Sequence, residues 1–331
     1  MSPLPYQVLT EAEGAAALET SYQMMAPLGV PTLIIDPADY DPRLSLWCVR
    51  GEDTIENDLK HRMKNVLYNF YGEDHSRVRQ FLHEPNRFLL ALVNKLAYCV
   101  QTSQMVAHAI VSEKFLNVVI CPRTRDTGAL LMKHGLKVPE DNIPDMPGTD
   151  IEWNFIRLWH EFGHGLKGKS EASADWVSAV VHRHVFPDPQ ALMVLSDFRA
   201  ACALLNHHNP RVLTGRGWSL VDTLDSAVED MGTPTSWDDV ATHVHHPCPA
   251  DNSIEDIMYI GQHLSGISKL AFKEPDLLML GMMADHMTYK GNVENDNQMR
   301  IARRFAIAAQ RLSLGKPAYA ATAPKPSIKL L

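Results

Sequence analysis

Residues 155–166 read Phe-Ile-Arg-Leu-Trp-His-Glu-Phe-Gly-His-Gly-Leu, and the spacing of their apolar side chains predicts a helix. Each residue of an α-helix turns by about 100°, so residues three and four apart lie on the same side. We therefore expect a helix over 151–167, with one face in the core and the other turned to a cleft. The core-facing stripe consists of Phe155, Leu158, Trp159, Phe162 and Leu166.

The opposite side of this helix carries His160, Glu161 and His164. Two histidines four residues apart lie one above the other, so their imidazoles can hold one metal ion. Glu161 is then placed to take a proton from a water molecule that the ion activates. The pattern predicts one zinc ion per chain. Because the chain has 16 histidines, a chance match is expected in roughly a few per cent of such sequences.

A third ligand is predicted shortly after the histidines. Ser170 resembles the N-cap of a new helix that opens with Glu171 and Asp175. A catalytic zinc takes three protein ligands and keeps a fourth position for water, and a carboxylate after Gly165 and Gly168 is suitably placed to be the third. Acidic residues also begin helices because of the helix dipole alone. The alternatives are therefore Glu171, Asp175 about 6 Å farther along the axis, and neither.

These motifs resemble those of the zincin metallopeptidases over residues 152–185. Segment 160–164 matches their H-E-x-x-H core motif, and segment 171–175, Glu-Ala-Ser-Ala-Asp, is similar to the E-x-x-A-D element of gluzincins. Only six residues separate His164 from Glu171, fewer than in most gluzincins. This connection is more similar to a metzincin turn stretched by one residue, so the subclass and the third ligand stay open.

The resemblance implies a zinc metallopeptidase that hydrolyses a peptide or protein substrate with an activated water molecule. Its zinc ligands would be His160, His164 and Glu171, with Glu161 as the general base. Asp175 would not bind the ion itself but would orient a histidine that does. One alternative is a non-catalytic metal-binding sensor or interaction module built on a zincin core. Another is a helical interaction protein that contains the motif by chance.

The chain as a whole predicts an α+β protein that is mostly helical, with a small sheet packed on the zincin-like active-site helix. The β-branched run 116–121 is the clearest strand, and we expect it at a sheet edge, where an extended peptide can pair with it. Further strands are expected at 31–36 and 44–50. Other helices are expected at 10–27, 53–71, 77–84, 87–103, 171–185, 188–206, 253–272, 275–289 and 295–313.

Four regions are expected along the chain. Residues 1–112 form an N-terminal mixed α/β region, 113–206 a zincin-like metal-binding core, 207–315 a helical C-terminal region, and 316–331 a disordered tail with three prolines. The third region contains methionines at helical spacing, which we expect to fill the core. They are Met279, Met282, Met283 and Met287.

Charge is distributed unevenly along the chain, whose formal net charge is −8. This overall charge disfavours nucleic acid as a partner. Residues 218–268 contain nine acidic residues and no Lys or Arg, whereas residues 299–331 contain seven basic residues and no Asp or Glu. Either the two segments pair inside the fold, or the basic C-terminal helix at 299–316 docks on a partner.

Cysteine usage and the N-terminus bear on the compartment. The 5 cysteines are scattered without a C-x-x-C pattern, which is typical of reduced thiols. Residues 1–17 lack the basic and apolar parts of a signal peptide. No apolar run reaches about 18 residues, so we expect no membrane span. We therefore expect a cytoplasmic protein. The alternative is export by a route that needs no cleaved signal.

Overall fold

The structure is a computed structural model and describes residues 24–25, 28–36, 54–83, 89, 91–96, 108–112, 115–121, 125–136, 146–168, 170–211, 213, 217–245, 253–273 and 276–314. Contacts within the chain divide it into two compact units. Unit 1 consists of Met1–Arg125 and Asn154–Lys169, and unit 2 of Asp126–Trp153 and Ser170–Leu331. The region boundaries expected at 112, 206 and 315 stay predictions. The expected strand at 44–50, the tail at 316–331 and most of the helix at 10–27 lie outside the described residues.

The strands are β1 (Thr32–Ile35), β2 (His108–Ser112) and β3 (Leu116–Ile120). The helices are α1 (Thr54–Tyr71), α2 (Ser76–His83), α3 (Thr127–Leu136), α4 (Asp150–Lys167), α5 (Glu171–Val185), α6 (Gln190–Leu205), α7 (Ser219–Glu229), α8 (Trp237–Val244), α9 (Ile254–Ile267), α10 (Lys269–Lys273), α11 (Leu277–Lys290) and α12 (Asp296–Leu314).

Unit 1 contains a sheet whose middle strand is β3, in the order β1-β3-β2. β1 runs parallel to β3, with Leu33 opposite Val118, and β2 runs antiparallel, with Ile110 opposite Val118. Both sides of β3 are therefore hydrogen-bonded within the sheet. The expected position of run 116–121 at a sheet edge is wrong, because β1 and β2 occupy both sides of this strand and leave neither for a peptide.

The two faces of β3 have different environments, because successive side chains of a strand point to opposite sides. Leu116, Val118 and Ile120 belong to a core that also contains apolar residues of α1 and α2. Asn117 and Cys121 lie on the other face, toward α4. The central strand thus separates an apolar core from a face that includes polar side chains.

Helix α4 spans almost the predicted range, and its apolar stripe is buried as the sequence predicts, except at the half-buried Leu166. Trp159 and Phe162 are fully buried, and the backbone at Gly165 lies against Asn117 of β3. In its described parts the chain is a mostly helical α+β protein with a small sheet packed on α4. The predicted fold class is confirmed in these respects.

The described part of unit 2 is built from helices. α12 packs against α11 and α6, while α7 packs against α5 and α6. None of the described helices combines the length and the apolar character that a membrane span requires.

The basic helix α12 pairs with acidic residues of its own unit. Arg304 donates to Asp225 Oδ2 at 2.7 Å and to Asp197 Oδ1 at 2.6 Å. One turn earlier, Arg300 binds Asp222. The segments of opposite charge therefore pair inside the fold, and docking of the basic helix at 299–316 on a partner stays a prediction.

Candidate metal centre

Three predicted ligands come together where α4 is followed by α5. His160 and His164 lie on α4, and Glu171 is the first residue of α5. One ligand atom from each residue lies within 4.8 Å of the other two. Among the described residues, this is the group of His, Cys, Asp and Glu side chains whose geometry suits a metal ion. Each of the three is half-buried, so the group stays accessible to a small ligand.

The helix itself brings the two histidines together. Residues four apart differ by about 6 Å along the axis and face the same side. Their rings meet edge to face, with centroids 4.9 Å apart and an interplanar angle of 87°. His164 Nδ1 lies 3.3 Å from the carbonyl oxygen of Gly168. In the tautomer that donates this bond from Nδ1, Nε2 is left to bind an ion.

The short connection after His164 places Glu171 without a long loop. Gly168 has φ +96° and its N–H donates to the His164 carbonyl at 3.0 Å, which ends α4 in a left-handed turn. Ser170 then caps α5, because its hydroxyl accepts from the backbone N–H of Ser173 at 3.3 Å. Glu171 therefore begins a helix, where the partial positive charge of the N-terminus favours a carboxylate.

The donor set fits zinc. Imidazole nitrogen and carboxylate oxygen bind Zn²⁺ at about 2.0–2.2 Å, so ligand atoms of a tetrahedral ion lie about 3.4 Å apart. Ligand atoms within 4.8 Å of one another reach this separation by small rotations of the side chains. Two nitrogens and one carboxylate also leave a fourth position open for water, as catalytic zinc sites do.

Glu161 lies next to His160 and is only 8% exposed. The thiol of Cys121 lies near Glu161. Burial raises the pKa of this thiol most strongly, Arg157 lowers it, and Asp36 and Glu161 raise it. Arg157 is therefore a buried positive charge in the same region as the acidic side chains of Asp36 and Glu161. The charge balance of this region matters because Glu161 is the predicted proton acceptor.

Arg157 lies one turn before His160 on α4, and its side chain is buried. Nη2 donates to Asn154 Oδ1 at 3.1 Å and to Cys121 Sγ at 3.6 Å. The side chain is thus engaged with α4 and the end of β3.

Asp175, the predicted orienting residue, is held by an arginine that sequence reasoning missed. Arg199 on α6 donates from Nε to Asp175 Oδ2 and from Nη2 to Oδ1, both at 3.0 Å. Burial opposes the charge of Arg199, but Asp175 and then Glu171 raise the pKa of its guanidinium. Arg199 therefore lies within the electrostatic reach of a predicted zinc ligand. No spacing signal links residue 199 to this site, because the pairing depends on how α5 and α6 pack.

A second buried pair was also missed. His182 on α5 is fully buried, and its Nε2 lies 2.6 Å from Glu152 Oε1. His182 lies two turns after Asp175 on the same side of α5, but its residue type and spacing did not predict that it is buried. Its partner could be identified only from the structure.

Protein-family models, curated proteins and solved structures were compared with this chain, and none of them matches it. The function has to be inferred from the residues themselves.

Proposed function

We propose that this protein is a zinc-dependent metallopeptidase, in which His160, His164 and Glu171 hold the ion and Glu161 is the general base. The observation that carries this proposal is the approach of the three ligand atoms to within 4.8 Å of one another. It is supported by the position of Glu161, which directly follows one of these ligands on the same helix.

When bound, zinc supplies Lewis acidity that polarises a substrate carbonyl and activates water. Glu161 accepts a proton from the attacking water and returns it to the leaving amine. His160 and His164 already lie side by side on one face of α4, which limits the reorganisation needed on binding. Glu171 contributes a negative charge to the ligand set.

The ion pair of Asp175 and Arg199, close to the predicted ligand Glu171, also supports this proposal. A bidentate ion pair fixes the orientation of both side chains, and Asp175 follows Glu171 by one turn of α5. The pair thereby stiffens the part of the helix that carries the third ligand. Such support of metal ligands by neighbouring residues commonly determines how tightly the ion is held.

Metal content and peptide hydrolysis test this function together. We expect about one zinc ion per chain in the native protein, measured by mass spectrometry of the metal content after mild purification. His160→Ala and Glu171→Ala should lose the ion. Glu161→Gln should keep it and lose hydrolysis of a denatured protein substrate. A native protein free of zinc, or a fully active Glu161→Gln variant, would exclude the proposed mechanism.

One observation favours a second candidate, a metal-binding sensor or interaction module without catalysis. Glu161 is only 8% exposed, which restricts the approach of a water molecule and a substrate to its carboxylate. In that case zinc would bind, but neither the native protein nor Glu161→Gln would cleave any member of a peptide library. Cleavage by the native protein alone distinguishes the peptidase from the sensor.

A further inference from the structure

A row of sulfur and imidazole side chains runs along α11. Met279, Met282, Met283, His286 and Met287 recur at intervals of three and four residues, so they share one side of the helix. We call these five residues the methionine stripe.

The methionine stripe is more exposed than a core position allows. Met282 is 68% exposed and Met279 42%, whereas Met287 is 1% exposed. The expectation that these methionines fill the core is confirmed for Met287 and is wrong for Met279 and Met282. Met279 and Met282 are thus exposed, whereas Met287 lies where the methionine stripe borders the buried side of α11.

The stripe lines one pocket together with a histidine of another helix. The pocket has a volume of about 470 Å³, and His263 of α9 contributes to its wall. Asp276, the N-cap of α11, also lines it, and no described residue in its lining is Lys or Arg. A cation in this pocket would therefore meet a carboxylate and no opposing positive charge.

The donor atoms indicate the kind of cation. Thioether sulfur is a soft, uncharged donor that suits Cu⁺ and chemically similar monovalent ions, whereas hard cations such as Mg²⁺ and Ca²⁺ prefer oxygen donors. Side chains three and four apart on a helix have Cβ atoms about 5–6 Å apart, and Met has three rotatable bonds with which to bring sulfurs together. Imidazole from His263 or His286 can complete such a set.

We propose that the methionine stripe and His263 form a second metal site, which binds a soft monovalent cation of the Cu⁺ class. It differs in chemistry from the group of His160, His164 and Glu171, whose nitrogen and oxygen donors suit Zn²⁺. The two sites share no residue, so this assignment is independent of the proposed peptidase activity.

Silver ion is the probe for this site, because Ag⁺ has the same soft d¹⁰ character and does not change oxidation state. Accessible cysteines are first alkylated with iodoacetamide and the released iodide is removed, since thiolates and iodide would compete for the ion. Full-length protein carrying ¹³C-methyl methionine is then titrated with Ag⁺ in chloride-free buffer. We expect the methyl signals of Met279, Met282 and Met283 to shift together and to stop shifting near one equivalent.

Leucine substitutions separate metal binding from apolar docking. Leucine keeps the size and apolar character of methionine but has no sulfur. The triple variant Met279→Leu/Met282→Leu/Met283→Leu should bind Ag⁺ at least about tenfold more weakly while remaining folded by circular dichroism. Met231→Leu, in the same unit but outside the stripe, should bind as the native protein does and is the matched control.

Two results would overturn the assignment. One is equal Ag⁺ affinity of the native protein and the triple variant, which would mean that the sulfurs are not ligands and that the exposed stripe serves apolar contacts. The other is a shift of the same methyl signals by Zn²⁺ at equal concentration, which would exclude a soft site. His160→Ala should leave the Ag⁺ titration unchanged, so failure of the zinc proposal would not affect this result.

Discussion

The side-chain amide of Asn117 on β3 lies directly against the backbone of Gly165 on α4. A methyl group at residue 165 would overlap with Nδ2 and Cγ of Asn117. Asn117 is 1% exposed, and neither atom of its amide group has a hydrogen-bond partner among the described residues. Because Gly165 directly follows His164, this contact sets how closely the ligand-bearing end of α4 approaches the central strand.

Gly165→Ala is expected to destabilise the protein and to weaken zinc binding. Alanine in a helix is favoured over glycine by about 1 kcal/mol, but overpacking against a buried side chain costs about 1–3 kcal/mol. The net result should be a lower free energy of unfolding, measured by urea unfolding of the metal-free protein. Zinc affinity is measured by competition with a chelator.

Adding Asn117→Ala to the Gly165→Ala variant tests whether the clash between these two side chains causes the weaker zinc binding. Removing the amide group makes room for the new methyl group, so the double variant should bind zinc more tightly than Gly165→Ala alone. Equal affinities of these two variants would show that the contact does not position His164.

Arg199→Met is expected to lower the free energy of unfolding by about 3–5 kcal/mol, because Asp175 would be left buried without its partner. The side chain of Asp175 is 1% exposed. Arg300→Met is the matched control, since the Arg300–Asp222 pair is 49% and 30% exposed and should contribute less than about 1 kcal/mol. Similar losses in chemical denaturation of the two variants would contradict the assigned role of burial.

Arg304→Met should also lower the free energy of unfolding. Arg304 binds Asp197 and Asp225 and donates to Ser196 Oγ at 2.8 Å. Loss of the guanidinium leaves Asp197, 1% exposed, without its closest cation, at an expected cost of about 3 kcal/mol. The neighbouring Arg303 is exposed, so Arg303→Met should change the midpoint of urea unfolding little. A larger effect of Arg303→Met would indicate a contact beyond this chain.

His207 is expected to make the protein less stable in acid. Burial lowers the pKa of its imidazole, the Leu204 carbonyl raises it, and His208 lowers it. A folded-state pKa below the unfolded value of about 6.5 means that the folded state resists protonation. The contribution of His207 to stability is therefore complete above that value and is lost as pH falls below it.

His207→Gln removes this titration. The free energy of unfolding from urea titrations should fall less between pH 7 and pH 5 in the variant than in the native protein. The comparison uses the change with pH in each protein, so a uniform loss of stability in the variant does not affect it. Equal changes in the two proteins would assign the acid sensitivity to other groups.

Much of the candidate site could be predicted from the sequence, because its features are local. The proximity of His160 and His164 follows from the helical repeat, and the apolar stripe with Trp159 required α4 to bury one side. The N-cap at Ser170 was also predicted from its residue type and is present. Each of these depends on residues within one or two turns of each other, where backbone geometry leaves few alternatives.

Local patterns in the sequence were thus enough to predict the mostly helical class, the helix that carries the histidines and the start of the helix that carries Glu171. The position of β3 as the middle strand, the pairing of Arg199 with Asp175 and the exposure of Met282 become visible only in the folded chain. These features arise from pairing between elements far apart along the chain. Periodicity within one element shows which side chains share a face, but which partner covers that face depends on how all the elements pack.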